Sequence, residues 1–217
     1  MIIPAILATN KADFRALLES ARGYTDYVQI DFMDGEFVSS QSVLPREIFY
    51  EDYEGLSFEA HLMVSKDRLE EFINGLKNMP ACKRIYIHRE ISEDEVEIRT
   101  FLNMIIDTGK EAGLVLNPGT AVDEVVIHLR HKLSAYMVMG VEPGQYGSEF
   151  QESSLDLVRE LKEKMPEFEG DFAWDGAANE ETIPSILAAG ANRVAVGSAI
   201  AKAEKPQEAY TKLNNLK

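Results

Sequence analysis

The feature that most constrains the fold of this chain is an alternation, repeated eight times, of a short apolar run and a longer amphipathic stretch. The runs are Ile2–Leu7, Tyr27–Asp31, Ser57–Val64, Lys83–His88, Gly113–Leu116, Ala135–Val141, Asp171–Trp174 and Arg193–Val196. Each is short enough for a strand, and most are nearly continuous in apolar residues, as a parallel sheet covered by helices requires. Between them, Leu69, Phe72, Ile73 and Leu76, and again Leu157, Val158, Leu161 and Met165, recur at helical spacing and lay one apolar stripe on each helix. Eight strand–helix units in 217 residues average about 27 residues each, workable for a barrel. The pattern therefore predicts an α/β fold, a single-domain (β/α)8 TIM barrel spanning residues 1–217. An open doubly wound sheet fits less well, because Leu7 is followed by Ala8-Thr9-Asn10 where that fold places a glycine-rich turn. Ser92, three residues before Glu95, has the spacing of a capping box, and Ser153, Thr120 and Asn179 are expected to cap the helices they precede.

Composition bounds the function. Hydrophobic residues make up 45% of the chain, enough for a sizeable core, and no apolar run approaches the roughly 18 residues of a spanning helix. Met1 to Leu7 is too short, and lacks the basic flank, for a secretory signal, so a cytoplasmic protein is expected. The single cysteine, Cys82, cannot form an internal disulfide. The net charge of −15 has the wrong sign for nucleic acid or an anionic membrane, so neither is expected as a partner. It does not exclude a small anionic ligand, since backbone N–H groups at helix N-termini hold phosphate without surplus Lys or Arg.

In a barrel of this kind the active site forms at the C-terminal ends of the strands. Gln29, Asp31 and Asp34 lie near the end of the second strand, His61 in the third, His88 and Glu90 at the end of the fourth and Asp175 after the seventh. Period-two spacing puts Gln29 and Asp31 on one side of their strand, so that Asp31, His61 and Asp175 are placed to converge. Asp34, before Gly35, reads as a turn residue. His88 reads either as a hydrogen-bonded core histidine or as support for a neighbouring site residue, and Asp175 either as a catalytic acid or as a turn cap. Met33, Met63 and Met139 would ordinarily fill the core. Three glycine-containing segments, Gly144 to Gly147 with Ser148, Gly176-Ala177 and Gly197-Ser198, follow the sixth, seventh and eighth strands. Each serves a tight turn in any barrel, but the three together are positioned to offer backbone N–H groups to one phosphate.

Several of these segments resemble the ribulose-phosphate 3-epimerase family. They are Ile30-Asp31-Phe32-Met33-Asp34-Gly35-Glu36-Phe37-Val38, Ala60-His61-Leu62-Met63-Val64, Val141-Glu142-Pro143-Gly144, Trp174-Asp175-Gly176 and Val196-Gly197-Ser198-Ala199-Ile200. The resemblance implies interconversion of D-ribulose 5-phosphate and D-xylulose 5-phosphate through an enediolate, with Asp31 and Asp175 as acid and base on opposite faces of the sugar carbon. It also implies a divalent metal, Mn, Fe, Mg or Zn, held by Asp31, His61 and Asp175, with Met33, Met63 and Met139 lining the site. A homo-oligomer is a further implication.

The chain departs from the family pattern at several places. Gln29 stands where the family has a second metal-binding histidine, Ala5 where it has an early serine, and Glu142 where it has asparagine. Gln145-Tyr146 replaces a Phe-Gly pair, and Ala177 replaces a glycine. With Gln29 as the fourth ligand, offering a neutral amide oxygen, the set Gln29, Asp31, His61 and Asp175 is harder than a two-histidine site. It suits Mg²⁺, Mn²⁺ or Fe²⁺ relatively better than Zn²⁺, with lower affinity overall. A related group of barrel lyases carries an Asp-x-Lys-x-x-Asp run, but Met33 stands here at the lysine position. Two alternatives remain open: a diverged relative acting on another ketose phosphate, and a non-catalytic phosphosugar-binding protein.

Overall fold

A computed structural model describes residues 1–144 and 147–216; Gln145 and Tyr146, two of the departures named above, lie outside the described residues. Strands β1 (Ile2–Ile6), β2 (Tyr27–Met33), β3 (Ser57–Met63), β4 (Cys82–His88), β5 (Glu111–Leu116), β6 (Ala135–Met139), β7 (Asp171–Asp175) and β8 (Arg193–Val196) are parallel and pair in sequence order, and β8 closes on β1. The helices between and after them are α1 (Lys11–Arg22), α2 (Tyr50–Tyr53), α3 (Lys66–Leu76), α4 (Glu95–Asp107), α5 (Glu124–Leu129), α6 (Ser154–Lys164), α7 (Ile183–Ala189), α8 (Ser198–Ala201) and α9 (Pro206–Asn214). The predicted barrel is the observed one.

Strand ends shift by a residue or two from the sequence reading, for tertiary reasons. β2 runs on to Met33 because its pairing with β3 continues through Met33 opposite Met63. β6 ends at Met139, not at Val141; the next residue, Gly140, lies against the Trp174 indole, where a side chain has no room. Helix caps differ more. α4 is capped by Asp94, whose side chain accepts from Val96 N, while the Ser92 hydroxyl bonds Glu97. α5 is capped by Asp123, and the Thr120 hydroxyl donates to Glu90. Ser153 occupies the N-cap position of α6 without a side-chain capping bond. The Asn179 side chain accepts from Glu181 N and Thr182 N, so it braces the turn that leads into α7.

Alternation along the strands separates two apolar layers. Val28, Ile30, Phe32, Phe58, Ala60, Leu62, Ile85 and Ile87 face outward onto Phe14, Leu18, Leu69, Phe72, Leu102 and Leu161 of the helices. Tyr86, Val115, Met137, Met139 and Ala173 fill the barrel itself. Gly113 has no space for a Cβ because the Tyr86 ring occupies it. The N-terminal end is plugged by charge: Arg193 bonds the buried Glu59 at 2.6 Å, and Arg84 bonds Asp171 at 2.9 Å. Burial still pushes the Glu59 carboxyl above its ordinary range against the pull of Arg193 and Arg84. With that end closed, the opening lies at the other, where the strands end and loops carry function. No helix among the described residues is long and apolar enough to cross a membrane.

Candidate active site

The C-terminal mouth holds a cleft of about 590 Å³, open space included. Its wall brings together Asp31, His61, Asp175, Met63 and Met139 with Gly144, Gly147, Ser148, Gly176, Ala177, Gly197 and Ser198. All of these were singled out in the sequence. Two other residues named there stand one layer back. Gln29 lies beneath Asp31 and is fully buried, and Met33 is fully buried against Val38 and Met63. The sequence reading missed Leu7, Val141, Pro143, Ala178 and Ala195 as wall residues. Being small or apolar, they carry no chemical signal in sequence, and only barrel closure reveals which of them face inward.

At the floor, strands far apart in sequence converge. Gln29 Nε2 donates to Asp31 Oδ1 at 2.9 Å and to Asp175 Oδ2 at 2.6 Å, joining β2 to β7 across 146 residues. His61, in register beside Asp31, directs Nδ1 to within 3.3 Å of Asp31 and 3.1 Å of Asp175. Among the described residues that nitrogen makes no aligned hydrogen bond, and the buried Gln29 amide oxygen finds no partner. Burial, reinforced by the Asp175 charge, raises the Asp31 carboxyl above its ordinary range. Burial alone would lower the His61 pKa; the two carboxylates overcome it and push it up to about 9.

These atoms suit a cation. One ligand atom each from Asp31, His61 and Asp175 lie within 4.8 Å of one another. Metal–ligand bonds near 2.1 Å put ligand atoms roughly 3–4 Å apart, so a small convergence would close the set around an ion. The orphaned His61 nitrogen is the donor such an ion needs. Gln29, as placed, turns its nitrogen and not its oxygen toward the carboxylates.

The rest of the wall is shaped by backbone. Asp34 is a turn residue, as its place before Gly35 suggested. Its carboxylate accepts from Glu36 N, Phe37 N and Ser65 N at 2.8–2.9 Å, tying the loop after β2 to the loop after β3. After β7, the Thr182 hydroxyl donates to Ala177 O at 2.8 Å and Trp174 Nε1 donates to Gly176 O at 2.8 Å. Gly176 has φ +113°, and a Cβ there would stand 2.6 Å from Val141 Cγ2. Ala177, with φ +49°, is the one non-glycine residue in the left-handed region among the described residues. Such backbone costs about 1–2 kcal/mol in an L-residue, and it is held here by the hydroxyl bond to its carbonyl. Behind the floor, His88 Nε2 meets His61 Nε2 at 2.8 Å, so His88 supports a site residue as well as being buried and hydrogen-bonded. Among the described residues of the wall, none is Lys or Arg.

Comparison with known proteins bears on family and fold. The sequence model of the Ribulose-phosphate 3 epimerase family matches residues 1–201. The chain is 30% identical to ribulose-phosphate 3-epimerase of Schizosaccharomyces pombe over 99% of its own length and 92% of that protein's. It is 32% identical to the Escherichia coli protein of the same name, covering 92% of this chain and 88% of the relative. Among solved structures, 3-hexulose-6-phosphate synthase superposes over 100% of this chain and 99% of its own, with a TM-score of 0.64 at 13% identity, a likeness of fold. A match over nearly the whole chain places this protein in the ribulose-phosphate 3-epimerase family of isomerases.

Proposed function

We propose that the protein epimerises carbon three of a ketopentose phosphate, interconverting D-ribulose 5-phosphate and D-xylulose 5-phosphate. The observation that carries the reading is the pairing of Asp31 and Asp175 in one cleft, joined through Gln29 and His61. Inverting a carbon beside a ketone removes a proton from one face and returns one to the other, so two carboxyl groups in opposite protonation states must flank it. Asp31, whose environment favours the protonated form, is the acid of the resting pair, and Asp175 is the base; the roles exchange for the reverse reaction. One oxygen of each is turned to Gln29, so the second oxygen of each is assigned to the substrate. Met63 and Met139 give the reacting carbon an apolar surround that excludes water.

With no Lys or Arg among the described residues of the wall, the phosphate is assigned to backbone N–H groups of Gly176-Ala177 and Gly197-Ser198, with Gly144, Gly147 and Ser148 beside it. Met33 stands where the lyase reading calls for a lysine, which speaks against that reading. Asp31, His61 and Asp175 would hold a divalent metal, with the Gln29 amide turned end for end to add its oxygen; when bound, the metal stabilises negative charge on the substrate oxygens. Self-association and a cytoplasmic setting complete the reading.

The test is proton exchange: ribulose 5-phosphate incubated with the enzyme in D₂O, followed by NMR. Deuterium is expected at carbon three, with xylulose 5-phosphate appearing. A ligand that binds but never exchanges identifies a non-catalytic phosphosugar-binding protein and overturns the reading.

A further inference from the structure

A second imidazole stands behind the first. His61 and His88 are both fully buried, their rings stack at 5.0 Å and their Nε2 atoms are 2.8 Å apart. At that distance one nitrogen must donate and the other accept. His88 itself decides which, through its other nitrogen. Its Nδ1 lies 3.4 Å from Glu90 Oε2; neither atom makes an aligned hydrogen bond among the described residues, so each is the other's nearest oppositely charged neighbour, and the buried Asn117 side-chain oxygen adjoins the same corner. Phe37 packs against the His88 ring at 4.7 Å between centroids and limits its rotation.

Glu90 is held there as an acceptor. Its Oε1 accepts from Asn117 N at 3.0 Å and from the Thr120 hydroxyl. Burial would raise its carboxyl, but His88, Thr120 and Asn117 N together hold it below the usual carboxylate range. An ionised carboxylate only accepts, so the proton of neutral His88 sits on Nδ1 and its Nε2 is bare. That bare nitrogen takes its hydrogen bond from His61 Nε2–H. With a cation in the gap in place of the proton that Asp31 and Asp175 favour on His61, the neutral ring has no proton left for Nδ1, whose lone pair then points between the two aspartates, 3.3 and 3.1 Å away.

We propose that Glu90, acting through His88, fixes the tautomer of His61 so that its Nδ1 lone pair is presented to the gap between the two aspartates. Glu90 and His88 are thus positioning residues for the cation site, and the inference rests on the reading of Asp31, His61 and Asp175 as that site. Outer partners of a ligating histidine commonly govern metal affinity by about 10- to 100-fold.

The test is the proton position itself, read by long-range ¹H–¹⁵N NMR of histidine-labelled, Zn²⁺-loaded protein. His88 is expected to be protonated at Nδ1 and bare at Nε2. In Glu90→Gln the amide oxygen keeps the bonds from Asn117 N and Thr120, and the amide nitrogen faces His88 Nδ1. The His88 proton is then expected to move to Nε2 and the His61 proton to Nδ1, with Mn²⁺ affinity by calorimetry falling about 10- to 100-fold. A wild-type spectrum showing a bare His88 Nδ1 overturns the inference without any variant. So does a natively folded Glu90→Gln with unchanged tautomers and unchanged Mn²⁺ affinity. A protein with the expected tautomers and Mn²⁺ binding but no exchange at carbon three would sink the epimerase reading and leave this inference standing.

Discussion

Gln29→His is the most informative single substitution, because Gln29 occupies the space where three other donors converge. Its amide nitrogen makes two bonds to carboxylates, at 2.9 and 2.6 Å, and both must break before a cation can approach Asp31 and Asp175. Hydrogen bonds to charged groups contribute roughly 1.5–3 kcal/mol each, so the metal-free protein is stabilised locally at the expense of metal binding. The amide oxygen, buried without a partner, gains one on turning toward the ion, but an amide is a weaker donor than an imidazole nitrogen. Gln29→His is therefore expected to raise affinity for Mn²⁺ and Zn²⁺ by about 10- to 100-fold, which is about 1.4–2.7 kcal/mol, with the larger gain for Zn²⁺ because nitrogen suits it better. Titration calorimetry of the two proteins with each metal measures this directly. Thermal unfolding in chelator is expected to show the opposite ordering, the histidine variant being the less stable when metal-free. Unchanged or weakened metal affinity in a folded Gln29→His would show that the side chain does not control access to the ion, and the argument from the two carboxylate bonds would fail.

Asp31→Asn and Asp175→Asn should each reduce epimerisation by at least about 100-fold while leaving the circular dichroism unchanged, since an amide cannot carry the proton; wild-type turnover in either would make that residue structural. Ribulose without its phosphate should bind far more weakly than ribulose 5-phosphate, because it forgoes charge-assisted bonds to the loops after β7 and β8; equal affinities by calorimetry would misplace the phosphate. Asp34→Asn should cost about 1–3 kcal/mol in denaturant unfolding at neutral pH, since it leaves a backbone N–H without its acceptor. Burial would raise the Asp34 carboxyl, but the three N–H groups hold it below the usual carboxylate range. A depressed pKa gives stability that is present above the unfolded value and lost as pH falls through the folded one, so the gap between wild type and variant should narrow as pH drops below about 4. A gap that is constant with pH would refute the charge-based account.

Local sequence was enough to determine the barrel. Apolar runs separated by amphipathic helices have few solutions other than a closed parallel sheet, and each strand's alternation already placed Gln29 with Asp31 on one side. Helix caps were less legible, because Ser92 and Asp94 compete for the same free N–H groups and the outcome depends on Glu97 being within reach of the serine. The site was legible as a set of residue types but not as a network. Asp31 and Asp175 are brought together by closure of β8 on β1, which no local period encodes. Whether the Gln29 amide presents its nitrogen or its oxygen is set by the carboxylates facing it, one of them contributed by β7. The His88 side chain could be read from sequence as core filler or as support, since its partners, His61 and Glu90, come from another strand and from the turn after its own. Spacing along a strand fixes which way a side chain points. What it meets there, and therefore where its protons sit, depends on segments distant in sequence, and only the tertiary structure brings them together.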